Sequence, residues 1–200
     1  MQDGEKGRTV KFRCEREILA EAVATAGRAA TSRTGTLPVL SGVRLDVGDD
    51  ELTVTGTDLE LSIRLSIPVH VDASGSAVVP ARLVGDIVKA LPPGAVDVEL
   101  RDEEMSISTG RSQFSVRPLS LSDYPATVEP SGEPVTLPAR VMTDALRQVV
   151  RAASTDDARA VLTGVLLAAD DDGLKMVATD SYRLAVRDLP QSSVLGAGQK

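Results

Sequence analysis

Paired apolar positions recurring every four residues mark three helices along the chain. Ile18-Leu19, Ala22-Val23 and Ala26 form the first stripe. Leu83-Val84, Ile87-Val88 and Leu91 form the second, and Val141-Met142, Ala145-Leu146 and Val149-Val150 the third. Such pairs draw one apolar face along about three helical turns. The second and third helices open alike, with Val79-Pro80-Ala81-Arg82 and Leu137-Pro138-Ala139-Arg140. Proline suits a first turn, where its missing N–H would have had no partner. A short apolar stretch precedes each helix, as with Phe12 and Cys14 before the first.

Alternating segments follow the helices. Val43, Leu45 and Val47 lead to the turn Gly48-Asp49-Asp50, and Leu52 and Val54 lead to Gly56-Thr57-Asp58. Leu59, Leu61, Ile63, Leu65, Ile67 and Val69 then keep period two, which predicts antiparallel strands with one face on a core and one wet. The unit is therefore strand, helix and three strands, or βαβββ. A shift of 122 residues lays Val39–Asp58 over Val161–Asp180 with ten identities in twenty, and a shift of 53 lays Val43–Arg64 over Val96–Arg117. Three half-units result: the second runs from Ala77 to about Leu119 and the third from near Val135 to about Pro190. Repeats of this kind stack to bury what none can bury alone, and their function is usually a shape.

The fold class expected is α+β, with two half-units making a domain whose helices cover one face of a joined antiparallel sheet. Residues 1–10 read as a disordered extension, 11–128 as a complete domain and 129–200 as an incomplete one, with Ser120–Gly132 as linker. After Thr179-Asp180 the apolar positions are Tyr182, Leu184 and Val186, one step out of phase with Leu59, Leu61 and Ile63. Since a one-residue shift turns every side chain over, the connection after Asp180 is expected to be longer or bulged.

The apolar content of 42 % fits a soluble core, almost wholly aliphatic, with two Phe, two Tyr and no Trp. One cysteine excludes an internal disulfide framework and fits a reducing cytosol. No apolar run reaches the roughly 20 residues of a membrane span, and no signal peptide is read, so the expected location is the cytoplasm. A net charge of −7 argues against a chain that coats nucleic acid over its whole surface, without excluding basic residues gathered on one face. The helices carry such residues: Arg28, Arg82, Lys89, Arg140, Arg147 and Arg151, among the acids Glu17, Glu21, Asp86 and Asp144. They are solvated helix surface or a face turned toward phosphates.

Catalytic signals are poor. One His and one Cys supply no usual zinc or redox site, so neither metal nor cofactor is expected. His70 lies out of phase with Ile67 and Val69, facing water, and Cys14 shares the buried face of Phe12. Asp58 and Asp180 recur with Thr57 and Thr179; Asx-type turn bonding explains them better than a catalytic carboxylate pair. Asp156-Asp157 and Asp170–Asp172 lack calcium-loop spacing.

Leu37–Gly42, Thr57–Glu60, Val79–Arg82, Gly110-Arg111-Ser112-Gln113-Phe114, Tyr124-Pro125 and Ala178–Val186 occur in an order that resembles the bacterial DNA polymerase III beta subunit, the sliding clamp. The resemblance implies the DNA clamp (processivity) fold: three similar domains per chain, two chains closing head to tail into a homodimeric ring, helices lining the hole and sheets outside. It implies a non-catalytic processivity factor that encircles duplex DNA without reading sequence, with the replicative polymerase and the clamp loader as partners. Partner peptides would dock in a pocket to which this chain contributes Leu162, Thr179, Ser181, Tyr182, Arg183 and Leu184. Family members often have Gly-His at Ser181-Tyr182, so the rim differs. DNA contacts would fall on Arg33, Arg82 and Lys89, with Arg140 and Arg147 at corresponding helix positions, and the dimer contact on Leu83, Ile87 and Phe114. Half of a second domain and all of a third are missing from the count of half-units, so a fragment that cannot close a ring is expected, with an unpaired sheet edge. A peptide-binding adapter that kept the fold but never encircles DNA is the alternative.

Overall fold

A computed structural model describes residues 9–30, 37–101, 103–126, 137–170 and 173–190. The chain divides into two compact units, Met1–Glu129 and Pro130–Lys200.

The first unit begins with β1 (Val10–Glu15), whose Val10, Phe12 and Cys14 point inward. Strand β1 starts one residue inside the stretch read as an extension, because Val10 is buried opposite Leu100. Helix α1 (Arg16–Ala26) buries Leu19, Ala22, Val23 and Ala26. A 3-10 turn at Pro38–Ser41 leads to β2 (Gly42–Gly48), β3 (Glu51–Thr57), β4 (Ser62–Pro68) and β5 (His70–Ala73). The second half-unit supplies β6 (Gly75–Pro80), α2 (Ala81–Ala90), β7 (Ala95–Arg101), β8 (Glu104–Thr109) and β9 (Ser112–Val116). Pro80 stands one position before the first helical residue, at φ −59°, and not within the first turn. Between β2 and β3, Asp49 and Asp50 both take left-handed backbone (φ 52° and 59°), the two-residue hairpin loop that matches strand twist.

The joined sheet expected from the alternation is instead two sheets, β5-β1-β7-β8-β9 and β4-β3-β2-β6. Each half-unit sends its first strand into the other's sheet: β1 pairs with β7, and β6 with β2. Period two tells which side chains face inward but not which strand lies alongside, so this exchange is invisible to the pattern. One apolar core joins α1, α2 and both sheets. The period-two run also divides differently. Leu59 and Leu61 are exposed in a turn, with Leu59 at φ 81°, and Val69 marks where the chain leaves one sheet (β4) for the other (β5).

Part of the expected linker belongs to this unit. Tyr124 is buried with Val39, Leu40 and Val78, and its hydroxyl donates to the Thr55 carbonyl at 2.9 Å. Leu119 N–H donates to Val78 O at 2.8 Å, so the strap begins as a bridge to β6. Gly56 is where strand meets helix most closely: a Cβ there would lie 2.0 Å from the Ala26 carbonyl oxygen.

In the second unit, α3 (Ala139–Val149) follows Pro138, and short 3-10 turns at Val150–Ala152 and Asp157–Leu162 lead to β10 (Leu166–Asp170), β11 (Gly173–Thr179) and β12 (Leu184–Pro190). The strand expected near Val135 and the turn at Asp171-Asp172 lie outside the described residues. The three strands form one antiparallel sheet in chain order. Ala145, Val149, Ala152, Leu174, Met176, Ala178 and Leu189 make its core, so α3 covers one face; within this unit's described residues nothing covers the other.

Candidate functional site

The loop joining β11 to β12 is built by its own side chains. Asp180 Oδ1 accepts from the backbone N–H groups of Tyr182 and Arg183, both at 2.9 Å. Thr179 Oγ1 donates to Arg183 O at 2.7 Å and accepts from Ser181 N–H at 3.1 Å. These two backbone donors to its carboxylate, and then the Arg183 guanidinium 3.0 Å from Oδ2, hold the Asp180 carboxyl below its ordinary value. Ser181 is forced to φ 77°, a conformation that glycine adopts without strain. Tyr182 is thrown outward, 93 % exposed. Arg159, in the same 3-10 turn as Leu162, donates to Ser181 Oγ at 3.3 Å and ties that turn to the loop. Of the six peptide-site candidates, Thr179, Ser181, Tyr182, Arg183 and Leu184 therefore share one loop and strand start, and half-buried Leu162 ends the tethered turn.

The same loop stands in the first unit. Asp58 Oδ1 accepts from Glu60 and Leu61 N–H, Thr57 Oγ1 donates to Leu61 O, and Leu59 repeats the left-handed backbone. Thr57 pairs with Ser62 as Thr179 pairs with Leu184, and Thr55 with Arg64 as Val177 with Val186. The connection after Asp180 is neither longer nor bulged, contrary to expectation. The phase shift has another result: with the register held, Leu184 and Val186 of β12 turn to the face that α3 does not cover, while Ala185 and Leu189 stay on the core side. Leu184 is 65 % and Val186 53 % exposed. Their first-unit counterparts are Ser62 and Arg64; Val177 and Leu166 beside them replace Thr55 and Arg44. At these four positions a polar patch has become an apolar one, and contiguous exposed apolar surface is where interaction sites are sought. Sequence reasoning did not single out Leu166, Val177 or Arg159, and noted Val186 only through the phase shift, misread as a change in loop length; the signal for Leu166 and Val177 was apolar residues standing where the first unit has Arg44 and Thr55.

On the helices, Arg82 and Lys89 are exposed along α2, and Arg140 and Arg147 along α3. Asp144 lies 4.0 Å from Arg140 Nε and 3.9 Å from Arg147 Nη1, an offset to their charge that solvent keeps weak. Arg33 lies outside the described residues. A groove of ≈ 700 Å³ between α1 and α2 is lined by Gly27, Ala81, Gly85 and Asp86 with Arg82 and Lys89 at its wall. The Arg16 guanidinium donates to the last-turn carbonyl of Lys89 at 3.3 Å, a link the sequence did not announce. Among the dimer candidates, Leu83 and Phe114 are exposed, Phe114 on the edge strand β9, whereas Ile87 packs partly onto the core.

His70 stands exposed at the start of β5, 3.7 Å from Asp72. Burial, then the charges of Glu15 and Asp97, push the Cys14 thiol up to about 12. Asp156 Oδ1 caps a 3-10 turn through Ala158 N–H. Among the described residues, no three His, Cys, Asp or Glu gather to hold a metal, and no helix is long and apolar enough to cross a membrane.

Two family models match in succession: the DNA polymerase III beta subunit N-terminal domain over residues 10–128 and its central domain over 136–197. The chain belongs to the DNA polymerase III beta subunit family. The beta sliding clamp of Streptomyces coelicolor is 36 % identical over 179 residues, spanning 90 % of this chain and 47 % of the relative. The crystal structure of the Bacillus subtilis DNA polymerase sliding clamp is similar at a TM-score of 0.85 and 32 % identity, covering 90 % of this chain and 50 % of that one. That of a Pseudomonas aeruginosa sliding clamp bound to griselimycin follows at 0.83 and 32 %, covering 92 % and 50 %. The fold is thus the α+β clamp fold. The chain spans about half the length of the curated beta subunits it matches.

Proposed function

We propose that this chain is part of a beta sliding clamp, a non-catalytic, ring-shaped processivity factor that encircles duplex DNA and tethers the replicative polymerase in the cytoplasm. The observation that carries this reading is the match of consecutive N-terminal and central family domains to one chain, both built on the same half-unit. Residues 11–128 act as the first clamp domain and 129–200 as part of the central one. Arg82, Lys89, Arg140 and Arg147, with Arg33, supply phosphate contacts that hold without reading sequence, as sliding requires. Leu83 and Phe114, with Ile87 behind them, serve the head-to-tail homodimer contact, and a clamp loader opens the assembled ring.

Partner peptides dock on the open face of the second unit. Tyr182, Arg183 and Leu184 offer an aromatic, a charge and an apolar floor within three residues, on a loop fixed by Asp180 and Thr179. A neighbouring clamp that binds griselimycin supplies a probe. Titrating griselimycin into the chain should shift the NMR signals of residues 177–186. Leu184→Ser with Val186→Arg, which restores the first unit's polar residues, should abolish the shifts; shifts elsewhere, or unchanged in the double variant, contradict the assignment.

The nucleic-acid role is tested with a short DNA duplex at low salt. Arg82→Ala with Lys89→Ala should reduce the slope of log K against log salt by about 1.8, two phosphate contacts' worth. An unchanged slope removes these residues from the DNA face.

A further inference from the structure

One side-chain pair joins the loop after β11 to the 3-10 turn before β10. Arg159 Nη1 donates to Ser181 Oγ at 3.3 Å, and Arg159 Nε donates to Asp156 Oδ2 at 3.0 Å. The turn is also closed on itself: Ser154 N–H donates to Leu162 O at 2.9 Å, and Ser154 Oγ accepts from Asp156 N–H at 3.1 Å. The first unit shows what stands in place of this pair. Under the shift of 122 residues, Arg159 falls where that unit has Leu37, and Ser181 where it has Leu59. The turns correspond in detail, since Ser41 Oγ donates to Pro38 O at 2.7 Å and Thr163 Oγ1 to Ala160 O at 2.8 Å. The loops correspond too, with Leu59 at φ 81° and Ser181 at φ 77°. Leu37 and Leu59 are 53 % and 63 % exposed, and neither side chain can form a hydrogen bond. The two positions therefore differ together between the units, apolar at both in the first and bonded to each other in the second.

We propose that Ser181 is a positioning residue for peptide docking that acts through Arg159. Its hydroxyl holds the guanidinium across the loop and so fixes the turn carrying Leu162 against the loop that leads into Leu184. The proposal rests on the peptide-docking reading of this face. A planar guanidinium presents its N–H groups in fixed directions. With Nε turned to Asp156 and Nη1 to Ser181, the plane of Arg159 is set. Turn and loop then meet a partner peptide already ordered, and ordering that binding need not impose appears as affinity. Serine is an uneasy occupant of its position, because left-handed backbone strains a residue with a Cβ and leaves glycine unstrained. Loop strain and bridge therefore make opposite predictions for one substitution: removing the side chain relaxes the loop but releases Arg159. The Arg159 side chain is 44 % exposed, so solvent keeps the effect modest.

Griselimycin binding and urea unfolding of the 200-residue chain separate the two effects. Ser181→Gly should weaken griselimycin binding about fivefold without lowering the urea midpoint. Ser181→Asn, which tolerates left-handed backbone and carries an acceptor oxygen, should restore most of the affinity that glycine loses. Arg159→Ala should lose the same factor, and Arg159→Ala with Ser181→Gly no more than either alone. In the ligand-free chain at low temperature, the Arg159 guanidinium protons should show Overhauser contacts with Ser181. Absence of these contacts, losses that add in the double variant, or a Ser181→Gly chain that loses stability and affinity together overturns the proposal. Normal binding that is indifferent to Ser181→Gly overturns it alone. Griselimycin that shifts no signal of residues 177–186 in the unaltered chain overturns the docking reading and this proposal with it.

Discussion

Residues 39–58 and 161–180 are identical at half their positions, yet the opening residues of the first segment are sealed and those of the second are exposed. Val39 lies under Tyr124 and beside Val78, whereas Val161 meets solvent. A Cβ on Gly42 would lie within 3 Å of Leu119, Val78 and Val79, while one on its counterpart Gly164 would meet nothing within 4 Å. The hairpin loop, by contrast, is the same in both. Local hydrogen bonding fixes the loop wherever Thr-Asp recurs, whereas burial depends on what the rest of the chain brings alongside. The difference teaches that a repeated sequence conserves conformation before it conserves environment.

The largest break in this comparison is expected where the two helix–strand contacts differ. Gly56→Ala would place its methyl 2.0 Å from the Ala26 carbonyl and force α1 away from β3, at a cost of ~3 kcal/mol or more. The second unit already carries Ala178 there, and Ala178→Gly should cost only about 1 kcal/mol. Urea unfolding of both variants measures the contrast; equal losses would mean that the two contacts are alike. Next in size, Tyr124→Phe removes the donor to a buried carbonyl and should cost about 1–2 kcal/mol in the same experiment. The strap is then confirmed as part of the first unit, and no loss would mean that it lies loose.

The smallest effect concerns the loop that both units share. The Asp180 carboxyl titrates below the ordinary aspartate value of 3.8, so its charge favours the folded state above that pH. This contribution falls away as pH drops below 3.8 toward the lowered folded value. The stability difference between the chain and Asp180→Ala should therefore be constant above about pH 5, where ordinary carboxyls are ionised, and shrink in acid. A difference that grows as pH falls would contradict the hydrogen bonding assigned to Asp180.

Helices, strand order in the chain and the Asx character of the loops were legible in the sequence, because each rests on contacts within a few residues. Leu19, Val84 and Ala145 face the core as the four-residue spacing implies. Strand partners were not legible: nothing in the alternation of Phe12 and Cys14 says that β1 completes the other half-unit's sheet. Nor was the reach of Tyr124, whose hydroxyl bonds to a residue 69 positions away. The candidate site shows the same division. Thr179 to Leu184 drew notice as a motif, and the shift in apolar phase was visible. What it meant depended on register, and register is a property of the paired strands.

The central claim is that register survives the phase shift and so turns Leu184 and Val186 to the open face. Cross-strand nuclear Overhauser contacts between β11 and β12 measure it directly. Val177 should lie opposite Val186 and Thr179 opposite Leu184; Val177 opposite Ala185 or Arg187 would mean a slipped or bulged strand, with Leu184 and Val186 turned to the core.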